Sequence, residues 1–185
     1  MIDEVIFEAE DKMDKTVQFL QQELSGLRTG KANPALVDTI TVDYYGTPTR
    51  LRDIANISTP EPRLIVINPF DPSSLGLIEK AIVAANIGIT PMNDGRLIRV
   101  PIPELSEERR KDMVKMAGRA TEEQRIAVRN IRRDANDQVK VLQKNGDITE
   151  DQRDSTLEDI QKSTDEHIKK MDDMLAAKEK DIMEV

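Results

Sequence analysis

The chain contains no cysteine, which excludes disulfides, thiolate catalysis and cysteine-ligated zinc, although it says nothing about redox compartment. A single histidine, His167, leaves little imidazole chemistry, and its place beside Ile168 reads as packing or a solvated edge. Long apolar runs are also missing. The longest strongly apolar stretch, LIVI at 64–67, is far too short to cross a bilayer. The N-terminus, MIDEVIFEAE, is acidic and amphipathic and lacks the basic start and apolar run of a secretory signal, so a soluble, cytoplasmic protein is expected. Proline is absent from both ends, because all nine prolines lie between Pro34 and Pro103. The chain therefore divides into two proline-free arms around a proline-bearing middle.

What fills the arms is helical pattern. Ile2, Ile6, Ala9, Met13, Val17, Leu20, Leu24 and Leu27 recur at three- and four-residue spacing up to RTGKANP, where Gly30 and Pro34 end the run. After Pro103, Ser106 reads as an N-cap with Glu107 and Glu108 in the first turn, and the pattern continues to Lys144, where Asn145-Gly146 closes it. At 1.5 Å per residue this helix spans about 57 Å. TEDQ at 149–152 is a capping box opening a third helix, with Leu157, Ile160, Thr164, Ile168, Met171 and Leu175 along one face. Each helix has one apolar stripe that it cannot bury alone, and the short turn between the second and third makes them antiparallel neighbours. The expected fold class is α+β: a long three-helix bundle, discontinuous in sequence and built from 1–29 and 106–185, with a small β/α/β domain inserted at 30–105. Gly30 at one crossing, and Pro101 and Pro103 at the other, make a two-strand hinge plausible near 30–31 and 103–106.

In the insert, Ile40, Val42 and Tyr44 alternate as a strand does, YGTPTR reads as a turn, and RLIVINPF as a buried strand. Asp71-Pro72 opens a helix that Gly88 ends. NDGR at 93–96 reads as a hairpin turn between a strand near Ile89 and RLIRVPIP. A small mixed sheet with one helix packed on it is expected.

The chain carries a net charge of −8, yet Arg125, Arg129, Arg132 and Arg133 gather within three turns of the second helix. With Asn136 and Lys140 they fall within an arc of about 100° and border the apolar face of Val128, Ile131, Ala135, Val139 and Leu142, with Arg132 nearest the seam. Residues 106–144 are net +4, whereas 1–30 are net −4 and 145–185 net −7. One basic helix between two acidic ones could use its flanking arginines for interhelical ion pairs. Against that, exposed pairs contribute about 0–1 kcal/mol each and lysine would serve as well, whereas arginine at all four positions suits the two-pronged grip on phosphate. If the partner is nucleic acid, single-strand stacking is disfavoured, since the second and third helices contain no Phe, Tyr or Trp. Recognition of folded RNA through backbone and shape remains.

No catalytic constellation emerges. GTPTR lacks the second glycine and the Lys-Ser/Thr pair of a phosphate loop, NDGR starts no calcium loop, and the carboxylates are spread over helix surfaces. Neither metal nor cofactor is called for. Gly118, inside the second helix, costs about 1 kcal/mol relative to alanine without evident reason.

Taken together, LRTGKANP at 27–34, VDYYGTPTRLRDIANI at 42–57, EKAI at 79–82, IRVPIPELSEERRKDMVK at 98–115 and VRNIRRDANDQVK at 128–140 resemble the bacterial ribosome recycling factor family, in an order that covers essentially the whole chain. The resemblance implies an L-shaped, transfer-RNA-sized, monomeric molecule with no active site of its own. It implies binding in the A-site region of the post-termination ribosome, on large-subunit ribosomal RNA. There it acts with elongation factor G, whose GTP hydrolysis drives splitting of the subunits and release from messenger RNA. By the same resemblance Arg129, Arg132 and Arg133 match the RNA-contacting segment, with Arg125 extending that stripe, and Arg28 matches a basic position at the bundle tip. Gly30, Lys31, Pro103, Glu104 and Leu105 fall at the hinge, and Lys31 stands where the family often has arginine. Two other classes remain in view: a coiled-coil adaptor or chaperone-like protein, whose binding would resist salt, and a nucleotide hydrolase, which would need a phosphate loop.

Overall fold

The structure, a computed structural model, describes residues 1–184; Val185, the last residue of the expected bundle segment, lies outside the described residues. In chain order the elements are α1 (Ile2–Ser25), β1 (Thr41–Tyr44), β2 (Thr47–Arg50), the single turn α2 (Leu51–Ile54), β3 (Ala55–Glu61), β4 (Leu64–Pro69), α3 (Leu75–Ala84), β5 (Met92–Asn93), β6 (Ile98–Pro101), α4 (Glu107–Lys144) and α5 (Glu150–Met183). Short 3-10 turns at Pro34–Leu36 and Pro72–Ser74 complete them. The chain divides into two compact units: Met1–Leu27 with the chain from Lys111 onward, and Arg28–Arg110.

The first unit is α1, α4 and α5. Their ends are set by local chemistry. The Ser106 hydroxyl accepts from the Arg109 N–H (3.3 Å), Glu107 and Glu108 occupy the first turn of α4, and Gly146 leaves the helix at φ +81. Thr149 and Gln152 form the reciprocal capping box of α5. At one end of the bundle Ile2, Val5, Ile6 and Ala9 pack with Ala135, Val139, Ile148 and Ile160. Toward the other, Met13, Leu20 and Leu24 pack with Ala117, Val128, Met171 and Ile182. The early part of α1 thus meets the late part of α4 and the early part of α5, so α1 runs parallel to α5 and antiparallel to α4. The helix α1 stops at Ser25, ahead of RTGKANP, and Asn33 instead caps the 3-10 turn that follows by accepting from the Ala35 N–H.

His167 is buried between helices rather than at a solvated edge. Its Nδ1 lies 2.6 Å from the Ser163 carbonyl oxygen and its Nε2 2.7 Å from Asp14 of α1, which ties α5 to α1 in the middle of the bundle.

The second unit holds a β1–β2 hairpin and a four-stranded sheet ordered β3-β4-β6-β5. Every pairing is antiparallel, not mixed as the sequence suggested. The reason is topological. Strands β4 and β5, joined through α3, run in the same direction, but the NDGR turn returns β6 into the gap between them. The β/α/β crossover survives as a split unit with an antiparallel strand at its centre. Ile65 and Ile67 of β4, Ile98 and Val100 of β6, and Ile78 and Ile82 of α3 are wholly buried together, the period of two in the strands meeting the i, i+4 spacing of the helix.

Three further readings shift. YGTPTR is not all turn: Tyr45-Gly46 turns and TPTR is strand β2. Asp71 caps a 3-10 turn before α3 begins at Leu75, and α3 ends at Ala84 rather than running to Gly88. The strand expected near Ile89 forms at Met92–Asn93.

Candidate nucleic-acid interface

At 100° and 1.5 Å per residue, α4 sets Arg125, Arg129, Arg132 and Arg133 along one flank over about 12 Å. That flank borders α5, which packs alongside because the Asn145-Gly146 turn folds it back. The four guanidinium groups differ sharply in what holds them.

Arg125 is the most engaged of the four. Its Nε and Nη2 donate to Asp172 Oδ1 of α5, the former at 2.8 Å, and its Nη1 donates to Glu122 Oε2 at 3.0 Å. Only 21% of its side chain is exposed. Burial opposes its charge, but the bonds to Asp172 and Glu122 outweigh that, and its pKa stands above the usual arginine value. The Arg125 bond, with help from Arg129, holds the Glu122 carboxyl below the usual range. For Arg125 the interhelical ion-pair reading is therefore realised.

Arg129 reaches Glu122 Oε1 with Nη1 alone, at 3.4 Å. Arg132 donates from Nη1 to the amide oxygen of Gln161 on α5 (3.1 Å), and Gln161 is itself fixed by donating to Asp165 (2.9 Å). Arg133 donates from Nη1 to Asn130 Oδ1 (3.2 Å). Among the described residues neither Arg132 nor Arg133 meets a carboxylate, and the Nε–Nη2 edge of each carries no hydrogen bond. The stripe thus grades from a neutralised guanidinium at Arg125 to two uncompensated ones at Arg132 and Arg133. Such a pair, half-held by neutral oxygens and open on the bidentate edge, suits phosphate.

Arg28 lies beyond the end of α1, in the second unit, with its Nη2 3.5 Å from the Gly88 carbonyl oxygen. A Cβ at Gly88 would sit 2.8 Å from Arg28 Nη1, so the close approach of the guanidinium depends on that glycine. The two connecting segments meet at the β3–β4 turn. The Ala32 N–H donates to the Pro62 carbonyl (2.6 Å), the Ile102 N–H to the Arg63 carbonyl (2.8 Å), and Arg63 pairs with Glu104 (2.7 Å). Gly30 has φ +78, and Leu105, buried, lies 3.7 Å from where its Cβ would be. Pro103 is exposed and Lys31 half-buried.

The sequence pattern located the arginines but not Asp172 or Gln161. Those two act across helices, and no spacing within a sequence sets cross-helix register. Glu122 was findable, being three and seven residues before Arg125 and Arg129 on the same face. Among the described residues no group of three or more His, Asp or Glu is placed to hold a metal, and no helix is long and apolar enough to cross a membrane.

Residues 20–183 match the family model for ribosome recycling factor. The chain is 51% identical to the ribosome-recycling factor of Geobacillus sp. (strain WCH70), 50% to that of Bacillus subtilis (strain 168) and 52% to that of Halalkalibacterium halodurans, in each case over all of both chains. Two solved structures are similar along the whole length. One is a solution structure of the ribosome recycling factor (TM-score 0.82, 39% identity, 100% of this chain and 98% of that one). The other comes from models of the T. thermophilus factor and E. coli elongation factor G bound to the E. coli post-termination complex (TM-score 0.72, 42% identity, 99% of each chain).

Proposed function

Because this chain belongs to the ribosome recycling factor family, we propose that it binds the post-termination ribosome in the A-site region through large-subunit ribosomal RNA and, together with elongation factor G, splits the subunits and frees the messenger. It acts in the cytoplasm as a monomer. GTP hydrolysis on elongation factor G supplies the energy, and this chain is the lever, with no catalytic residue of its own. Gly30–Lys31 and Pro103–Leu105 serve as the pivot between its two units.

The pair Arg132 and Arg133 carries the reading. Two guanidinium groups stand on a half-exposed helix flank with, among the described residues, no carboxylate to neutralise them and their bidentate edges open. Arg129 flanks them, Arg125 buttresses the seam, and Arg28 adds a basic position on the second unit. Shape and backbone recognition of folded RNA fits α4 and α5, which carry no Phe, Tyr or Trp to stack on a base and bury their one imidazole, His167.

Cosedimentation of the purified chain with isolated large ribosomal subunits tests this, wild type beside Arg132→Gly. The expected outcome is saturable binding that weakens with salt and a loss of about tenfold in the variant, on the order of 1.4 kcal/mol. Far-UV circular dichroism should show the helices intact in both proteins. Undiminished binding by a folded Arg132→Gly would overturn the assignment of the arginine flank.

A further inference from the structure

The arginine stripe has an internal boundary, and its position follows from two carboxylates. Asp172 takes the Nε and Nη2 of Arg125, the edge that would otherwise grip a phosphate with two parallel bonds, while Glu122 takes its remaining Nη1. The bidentate edge of Arg125 is taken, and its charge is compensated by two carboxylates before any external anion arrives. Glu122 then reaches one turn further and touches Arg129 with its second oxygen at 3.4 Å, a weak, single-pronged contact. Beyond Arg129 the partners are the neutral amide oxygens of Gln161 and Asn130.

We infer that Glu122 is a positioning residue which sets where the RNA phosphate footprint ends: it and Asp172 keep Arg125 out of the footprint, and Glu122 holds Arg129 at its margin. The carboxylate of Glu122 occupies the place on Arg125 and Arg129 that a phosphate oxygen would take. An incoming phosphate meets the Glu122 carboxylate, a competing and repelling anion, at Arg129, and only neutral amide oxygens at Arg132 and Arg133. The contact register along α4 is thereby confined to the Arg132 end, and a polyanion of arbitrary shape finds only part of the stripe available. The inference rests on the RNA-binding reading above and adds to it a boundary made by this chain's own carboxylates.

The counterion slope reads that boundary directly, since each neutralised phosphate contributes about 0.7–0.9 to the slope of log K against log salt. The experiment is cosedimentation with isolated large subunits at fixed magnesium over a salt series. The proteins are wild type, Arg133→Gln, Arg125→Gln, Glu122→Gln and Glu123→Gln. Glu123 is exposed, adjacent to Glu122 and, among the described residues, without an arginine partner, so its variant makes the same change of net charge without touching the stripe. Arg133→Gln should flatten the slope by about one phosphate contact and Arg125→Gln should leave it unchanged, while Glu122→Gln should steepen it by up to one contact as Arg129 is released. Glu123→Gln should match wild type. The inference fails if Glu122→Gln has the wild-type slope, if Glu123→Gln steepens it equally, or if Arg125→Gln flattens it. A wild-type protein whose binding ignores salt, with Arg133→Gln indistinguishable from it, would instead remove the RNA-binding reading beneath.

Discussion

Asp71 shows how much one side chain organises in the second unit. Its carboxylate accepts from the Ser73 N–H (3.0 Å), the Ser73 hydroxyl (2.7 Å) and the Tyr45 hydroxyl (2.8 Å), with the Tyr44 hydroxyl at 3.5 Å. The β1–β2 hairpin is thus pinned to the start of the turn that leads into α3. These bonds, the Ser73 hydroxyl first, then the Tyr45 hydroxyl and the Ser73 N–H, hold Asp71 below the usual carboxylate range. A carboxyl depressed in the folded state stabilises above its unfolded pKa of about 3.9, and that contribution is lost as pH falls through the lower folded value. Asp71→Asn should therefore be less stable than wild type at pH 7, and the difference should narrow progressively as pH falls below about 4. Tyr44 and Tyr45 are the only tyrosines of a chain without tryptophan, and their rings meet edge-to-face at 4.6 Å, so tyrosine fluorescence during urea unfolding reports on this network. A gap that stays the same at pH 7 and pH 3 would show that the bonds favour neither protonation state.

At the scale of elements, α4 is long enough that local defects matter, and Gly118 is one. Its backbone is helical, and a Cβ added there would meet nothing within 4 Å, so no close contact explains the glycine. Gly118→Ala should stabilise the bundle by about 1 kcal/mol, seen as a higher urea midpoint of the helical signal at unchanged slope. An unchanged or lowered midpoint would mean that the glycine serves the native helix in a way packing does not reveal. The same element explains what could be read in advance. Ser106, the Thr149–Gln152 box and the 3.6-residue periodicity are local, so both ends of α4 and the start of α5 were legible nearly to the residue. The arginine flank was legible for the same reason. The strand β3, Ala55–Glu61, was not, because beyond Ala55 and Ile57 its residues are polar or proline and exposed, which leaves a pairing edge without an alternating pattern. The insertion of β6 between β4 and β5 was equally hidden, since strand order depends on non-local pairing. The split between held and open arginines depended on the register of α5 against α4, and the sequence alone could show only that both readings were available.

For the whole molecule, the distribution of charge matters more than its sum. A chain of net charge −8 approaches a polyanion against its own field, and the net +4 of residues 106–144 is flanked by net −4 and net −7 segments. At about 0.01 M salt the screening length is about 30 Å and the approaching RNA senses most of that negative charge; at 0.15 M it is about 8 Å and only the nearest groups count. Salt should then have opposed effects on encounter and on the bound state. Screening the overall repulsion assists association, whereas counterion competition at Arg132 and Arg133 speeds dissociation. A uniformly basic RNA-binding protein would lose association rate as salt rises. Here the association rate should stay flat or rise between 0.05 and about 0.15 M salt at fixed magnesium, with the loss of affinity carried by the dissociation rate. Stopped-flow binding of a fluorescently labelled chain to large subunits separates the two. An association rate that falls in step with affinity while dissociation stays constant would mean that the arginine flank steers from long range, and that the acidic surfaces of α1 and α5 do not limit encounter.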